Sequence, residues 1–376
     1  MRLLFAYLYC NLGGVTSVLK QRLPYMKRAG WAVDAIFEQD FGGIDDLRSH
    51  GVKNVFIRRK DFCSQVARLS EGSDYSVITV VDAPGALDAI NALGKRKTIY
   101  EVHTPLERSL GDRNGDRLSE CTYCIVPSDW SKRWLSSLVR GLSSEKIFVL
   151  PNIVDESVFR YPENSIATDG RRPIVLWVGK LVKYKRWKDS LRILSEVSKC
   201  RPIAPMLVTG GGELRPDMAI EFLGELRDCG LAGRARWLHN ASLSQVASLY
   251  RDAASSGGLL LSTSEAESFC MVIHEAIRSG LPVISSAVGP IPDLLSASAS
   301  ECLFALGHPM AAVDLIVRGL DDRSHHERLR DAQRSALRWL QPDAFMARYL
   351  ALLETVATGQ ERPDPHIQAG TGWAVA

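Results

Sequence analysis

No stretch of the 376-residue chain approaches 18 consecutive apolar residues, so no transmembrane helix is expected. Net charge is almost absent too. The 46 Lys and Arg against 43 Asp and Glu leave +3, too little over this length for non-specific nucleic-acid binding to be a main activity. Met1 runs straight into RLLFAYLY with neither a basic n-region nor a small-residue cleavage site, so no secretory signal is expected and the cytoplasm is the expected compartment. The eight cysteines are scattered, mostly in apolar or helical contexts, as reduced buried thiols are. Cys121-Thr-Tyr-Cys124 is one CxxC without a second pair or a nearby His, which reads as packing in or beside a strand rather than as zinc. What is present is ordinary for a globular protein, 46% apolar and 24% charged residues. The length exceeds that at which single cores stop growing, so two domains of roughly 150–200 residues each are expected.

The most informative stretch is Leu259 to Leu295, LLLSTSEAESFCMVIHEAIRSGLPVISSAVGPIPDLL. An apolar strand at Leu259–Leu261, a helix from Cys270 to Arg278 stopped by Gly280, and a returning strand at Pro282–Ser285 make a βαβ unit. Glu267 falls in the strand-to-helix loop and Glu275 about two turns further on, so both carboxylates can border one crevice. The first amides of the helix, around Phe269 to Val272, favour phosphate, whereas carboxylates suit hydroxyls. A diphosphate between two hydroxyl-rich rings, the layout of a nucleotide-sugar, matches that division. The alternative is an N-terminal helix charge at 267 and a solvated helix residue at 275.

Along the chain, strands are expected at 2–9, 32–37, 54–57, 76–81, 97–102, 123–126 and 146–150, with helices at 15–28, 45–50, 61–71, 83–93 and 128–139 between them. That alternation is a parallel, doubly wound sheet, which binds ligands at the carboxyl ends of its strands. Asn11-Leu12-Gly13-Gly14 follows the first strand and opens a helix; it is not GxGxxG and reads as a tight turn or a phosphate approach. His103 ends the fifth strand before Pro105, placed either to bond a sugar hydroxyl or to satisfy a loop carbonyl. The polar segment from Glu107 to Asp116 reads as a mobile loop or broken helix. The boundary falls near Pro151–Asp155, followed by a linker. The second half restarts the alternation, with strands at 174–178, 205–209, 236–239, 258–262, 282–285 and 302–305 and helices at 188–200, 213–229, 244–253 and in the 270s. Two such halves would form a cleft. Lys180, Lys183, Lys185 and Arg186 follow the first of these strands, able to neutralise a diphosphate or simply to be solvated. Gly210-Gly211-Gly212-Glu213 is a glycine turn after the next strand.

Taken in order, the Gly-Gly turn, PNIVD, VGKL with its lysine loop, GGGE, SLYRDA and ESFCMVIHEAIRSGLPVISS resemble the family 4 (GT4) retaining glycosyltransferases, over nearly all of residues 1 to 355 and most specifically in the second half. The resemblance implies the GT-B fold: two facing Rossmann-like, doubly wound α/β domains with a central cleft and a C-terminal helix crossing back to the first. The expected division is an acceptor domain at 1–155, a linker at 156–172, a nucleotide-sugar donor domain at 173–340, a crossover helix at 341–357 and a disordered tail at 358–376. By resemblance, Glu267 holds donor-sugar hydroxyls at the reaction centre, Glu275 the ribose, Lys180 and Lys185 the phosphates, and Gly14 gives backbone room at the diphosphate. The amides of Ser268, Phe269, Cys270 and Met271 complete the phosphate cradle, and His103 lies beside donor sugar and acceptor. The chain departs from the family at Ser268 and Cys270, where glycines flank the Phe, at Lys180 for Arg, at Arg186 for Gly, and at His239 for a strand-end Gly.

The implied reaction is transfer of a hexose-type sugar from a UDP- or GDP-sugar to a hydroxyl with retention, the departing phosphate acting as base. No metal or other cofactor is expected, because lysines and amides meet the phosphate charge; Asp252, Asp293, Asp321 and Asp322 suit helices or turns. Three helices, 309–319, 324–340 and 343–357, should close the chain. A lipid-linked polysaccharide intermediate is the leading expectation for the acceptor and a small natural product the second. Lys20, Arg22, Lys27, Arg28 and Arg58-Arg59-Lys60 would give a basic face for peripheral contact with anionic lipid, or be solvated. The rival readings are a UDP-sugar isomerase of the same fold and a non-catalytic nucleotide-sugar-binding partner.

Overall fold

Strands buried on both faces must be apolar almost throughout, and the runs that set the alternation are such strands. They are described here from a computed structural model, which covers all residues except 73, 95–96, 107–109, 111–115, 162–169, 211–213 and 361–376. The chain divides into two compact units, Met1–Ile153 with Leu340–Ala376, and Val154–Trp339.

The first unit holds strands β1 (Arg2–Cys10), β2 (Ala32–Asp40), β3 (Val55–Ile57), β4 (Val77–Val81), β5 (Thr98–Glu101), β6 (Tyr123–Val126) and β7 (Ile147–Val149). Its helices are α1 (Val15–Arg28), α2 (Ile44–Ser49), α3 (Phe62–Gly72), α4 (Pro84–Asn91) and α5 (Asp129–Leu138). The sheet is wholly parallel, in the order β3-β2-β1-β4-β5-β6-β7. The chain winds outward from β1 in one direction and from β4 in the other, so the loops at the carboxyl ends of β1 and β4 diverge and leave a crevice. Strand β2 runs three residues past the expected Phe37, because Gln39 and Asp40 pair with Tyr9 and Cys10 through backbone alone. Cys121 and Cys124 sit in the core with their sulfurs 3.4 Å apart, as packed thiols.

The second unit repeats the plan with β8 (Ile174–Gly179), β9 (Ala204–Thr209), β10 (Arg236–His239), β11 (Leu259–Ser262), β12 (Val283–Ser286) and β13 (Leu303–Phe304). Between and after them lie α6 (Trp187–Cys200), α7 (Pro216–Asp228), α8 (Leu243–Ser255), α9 (Met271–Arg278), α10 (Ile291–Leu294), α11 (Ala299–Cys302), α12 (Ala311–Asp321) and α13 (Arg323–Ala336). The order β10-β9-β8-β11-β12-β13 puts the divergence between β8 and β11. The short α10 and α11 escaped the sequence reading because one turn of helix shows no periodicity. The last helix, α14 (Pro342–Thr358), belongs to the first unit, where Arg348 donates to the Val149 carbonyl at 3.2 Å and Lys97 to that of Ala357 at 2.8 Å. Most of the expected 107–116 loop, part of the linker, Gly211–Glu213 of the glycine turn and the tail beyond Gln360 lie outside the described residues.

The pairing of β8 with β11 depends on Gly258, where an added Cβ would lie 2.0 Å from the carbonyl oxygen of Ile174. Gly258→Ala should lower stability by about 2–3 kcal/mol, the cost of overpacking against fixed backbone. Urea unfolding checks this, and an unchanged midpoint would show that the strand ends yield.

Candidate functional site

In the second unit the loops leaving β8 and β11 are stitched together. Glu265 N–H donates to the Tyr184 carbonyl at 2.7 Å, and the Thr263 hydroxyl to that of Lys185 at 2.9 Å. This brings Lys185 Nζ to 2.6 Å from Glu267 Oε1, both side chains largely buried. Burial opposes the lysine's charge, but the Glu267 carboxylate outweighs it and raises the ammonium pKa. The Cys270 thiol also hydrogen-bonds Glu267; burial and that carboxylate push the thiol far up, so it is a donor and not a nucleophile. Lys180 follows β8 directly and is half-buried.

Helix α9 starts at Met271, one residue later than expected, because Cys270 takes a left-handed conformation, φ 63° and ψ 69°. Arg186, at the start of α6, does the same at φ 46°, ψ 42°. Left-handed backbone favours glycine, so at these two departures from the family pattern the backbone is still of the glycine kind. Ser268 and His239, the other two residues that replace a glycine of the family pattern, have no left-handed φ; His239 ends β10 and the left-handed residue is its neighbour Asn240, φ 53°. Phe269 turns into the core and stacks on His274, ring centroids 4.0 Å apart, so the loop offers a ligand its backbone and not this ring. Glu275 is buried on α9 and accepts from the Tyr250 hydroxyl at 3.3 Å. Among the described residues no cation answers it, and burial pushes its carboxyl up to about 7.

In the first unit the crevice lies between the loops after β1 and β4. Gly14, exposed at the start of α1, adopts φ 57°, ψ −128°, a region closed to side chains. Asp82, directly after β4, is left-handed at φ 45° and buried. Its carboxylate accepts from the backbone N–H of His103 at 2.9 Å and the hydroxyl of Thr104 at 2.8 Å. His103 Nε2 lies 2.9 Å from Glu101 Oε2, and Glu101 is gripped by Arg22 Nη1 at 2.8 and 2.9 Å.

Residues 163–336 match the family model described as Glycosyl transferases group 1. The second half of the chain is a group 1 glycosyltransferase domain. A phosphatidylinositol N-acetylglucosaminyltransferase subunit from Arabidopsis thaliana is 31% identical over 180 residues, 47% of this chain and 37% of that protein. The D-inositol 3-phosphate glycosyltransferase of Mycobacterium leprae is 28% identical over 224 residues, 57% of this chain and 50% of that one. The chain thus spans half or less of these relatives' length. Among solved structures, Anabaena Alr3699/HepE with UDP and glucose superposes with a TM-score of 0.78 at 19% identity, over 94% of this chain and 100% of that one. WaaG, a glycosyltransferase involved in lipopolysaccharide biosynthesis, gives 0.71 at 14%, over 93% and 99%. At these identities they show the fold, which is GT-B: two Rossmann-like parallel α/β units.

Within the glycosyltransferase domain the structure brings Lys185, Glu267 and Cys270 into contact and seats Glu275 on the helix that follows. Two positions went unnoticed in the sequence. Gly289, φ 58°, lets the loop after β12 pass so close that a Cβ would lie 2.1 Å from the Glu267 carbonyl; its Gly-Pro dipeptide was the available signal. Tyr250, inside SLYRDA, carries the hydroxyl that reaches Glu275. In the first unit the basic face needs correcting. Arg22 and Lys20 are buried, Arg22 on Glu101 and Lys20 on Asp46, because α1 is buried on all sides from Val15 to Leu23. Lys27, Arg28 and Arg58–Lys60 remain exposed. Among the described residues, no helix is long and apolar enough to cross a membrane, and no three His, Cys, Asp or Glu gather where they could hold a metal.

A carboxyl whose folded pKa lies above its ordinary 4.5 favours folding while protonated, so the contribution of Glu275 is complete below about 4.5 and lost as pH rises through about 7. Glu275→Gln should therefore match wild type near pH 5 and exceed it at pH 8 by about 1–3 kcal/mol. Denaturation across that range checks it; a difference independent of pH would mean the carboxyl is ionised throughout.

Proposed function

We propose that the protein is a retaining glycosyltransferase that moves a hexose-type sugar from a UDP- or GDP-sugar to a hydroxyl acceptor, in polysaccharide or glycolipid biosynthesis. One observation carries the reading: Lys185 and Glu267 meet at 2.6 Å in the crevice between β8 and β11, with Glu275 on the helix that starts from the same loop. A diphosphate would take Lys185 from Glu267, with Lys180 and the first amides of α9 beside it, and free the Glu267 carboxylate for sugar hydroxyls. Glu275 would take the ribose. Charge grows on the departing phosphate as the glycosidic bond breaks, where a fixed lysine stabilises it most. No metal is needed if lysines and amides do this. The phosphate then accepts the proton of the attacking hydroxyl on the face from which it leaves.

The structures with UDP and UDP-glucose make UDP the nucleotide to test first. The relatives named for phosphatidylinositol and D-inositol 3-phosphate support a lipid-linked or phosphorylated polyol acceptor. A lipid-linked acceptor would bring the enzyme to the inner face of the membrane as a peripheral protein, through the exposed Lys27, Arg28 and Arg58–Lys60.

Calorimetric titration with UDP, GDP, ADP and their hexose conjugates, without metal, should show one nucleotide binding in the micromolar range. Lys185→Ala and Glu275→Ala should each weaken it about tenfold or more. Because hydroxyl donors favour the ionised carboxylate, affinity for the sugar conjugate should rise with pH through about 7 and level off above it, a rise that Glu275→Gln flattens. Binding to none of these ligands, or binding indifferent to the substitutions, would reject the reading.

A further inference from the structure

We infer that His274 is a positioning residue for the loop that opens α9: its ring holds Cys270 in left-handed backbone and so keeps the amides of Ser268 to Met271 in place for the donor diphosphate. This rests on reading those amides as the phosphate cradle. A φ of 63° disfavours any residue with a side chain, by a factor of about 5 to 30 in population. Such a conformation persists only where the surroundings enforce it. Cys270 stands at the cap of α9, and its own side chain makes no cap bond.

His274 supplies the support from one turn inside the helix. Its Nδ1 lies 3.1 Å from the Cys270 carbonyl, which also accepts from the Ile273 N–H at 3.1 Å. That carbonyl and the Met271 N–H belong to one planar peptide, so fixing the first fixes the direction of the second. The face of the same ring lies on Phe269, centroids 4.0 Å apart and planes 7° from parallel. One imidazole thus holds both residues that precede the helix. The Cys270 thiol is held separately, by Glu267.

A carbonyl oxygen accepts and never donates, so Nδ1 carries the ring hydrogen. Burial holds the imidazole pKa down at about 4, which leaves the ring neutral at neutral pH with its lone pair on Nε2. His274 is fully buried, and among the described residues nothing answers Nε2. An acceptor left so in a core is a cost that an aliphatic side chain would avoid. The imidazole is therefore a poor filler for this place, and what it contributes is the bond from Nδ1.

The test is a cycle between His274→Leu, which fills the space without a donor, and Cys270→Gly, which takes left-handed backbone unaided. UDP affinity should fall about five- to tenfold on His274→Leu in the otherwise wild-type chain, the worth of one hydrogen bond. In the Cys270→Gly background the same substitution should cost less than about twofold. Urea midpoints of the four proteins should follow the same pattern. In 15N-histidine protein at pH 7, with His274 assigned by the signals that His274→Leu removes, the ring should carry its hydrogen on Nδ1. An Nε2–H ring, UDP affinity untouched by His274→Leu, or an equal loss in both backgrounds overturns the inference. Failure of His274→Leu to fold in either background does so too, because the ring is then a core residue; folding restored by Cys270→Gly supports it. If wild type binds no UDP, the donor reading falls and the midpoints decide: rescue by Cys270→Gly keeps the positioning of the loop, and equal losses reject it.

Discussion

Burying a carboxylate is costly unless a cation or strong donors answer it, and Glu101, Glu267 and Glu275 are among those buried near the ends of the parallel sheets. Arg22 answers the first and Lys185 the second, while the third has the Tyr250 hydroxyl. These answers fix much of the surrounding structure. Arg22 can reach Glu101 only if α1 lies flat on the sheet, and Tyr349 can cover Arg22 only if α14 returns to the first unit. In the second unit Lys185 can reach Glu267 only if the loops after β8 and β11 run side by side, which the Tyr184 and Lys185 carbonyls secure. Glu275, lacking a cation among the described residues, is the carboxyl that burial moves to about 7.

The same loops hold two side chains in left-handed backbone, at a cost of about 1–2 kcal/mol each. Neither Arg186 nor Cys270 caps its helix with its side chain. Each is tethered to acid instead: Arg186 to Asp189 at 2.5 Å and Glu265 at 3.6 Å, and Cys270 by its thiol to Glu267. Glycine would relieve the backbone and lose these tethers. The strain therefore accompanies extra contacts to the acidic loop, the pattern expected where a functional constellation is held by its surroundings.

The alternation of strands and helices was legible because parallel strands are continuous apolar runs, and LLFAYL, VITVV and LLLS announce themselves. The spacing of Glu267 and Glu275 was legible because a strand end and the following helix are local. Partners far apart in sequence were not. Arg22 and Lys20 look like a basic helix face until Glu101, 79 residues away, and Asp46, 26 away, are seen against them. Asp82 and Tyr250 matter through what tertiary packing sets beside them, and single letters carry no trace of it. The strain at 186 and 270 was legible only as departure from a family pattern.

Under the proposed function, the unliganded pairing of Lys185 with Glu267 has a consequence for selectivity. A ligand that offers phosphate alone takes the lysine and leaves Glu267 buried with, among the described residues, the Cys270 thiol to answer it, the arrangement that penalises broken buried pairs most. One that offers hydroxyls alone cannot compete with an ammonium at 2.6 Å. Only a molecule carrying both groups, at the spacing of a sugar joined to a diphosphate, replaces each partner at once. The pair then acts as a filter for the intact donor, because separating it is favourable only when both halves are satisfied together.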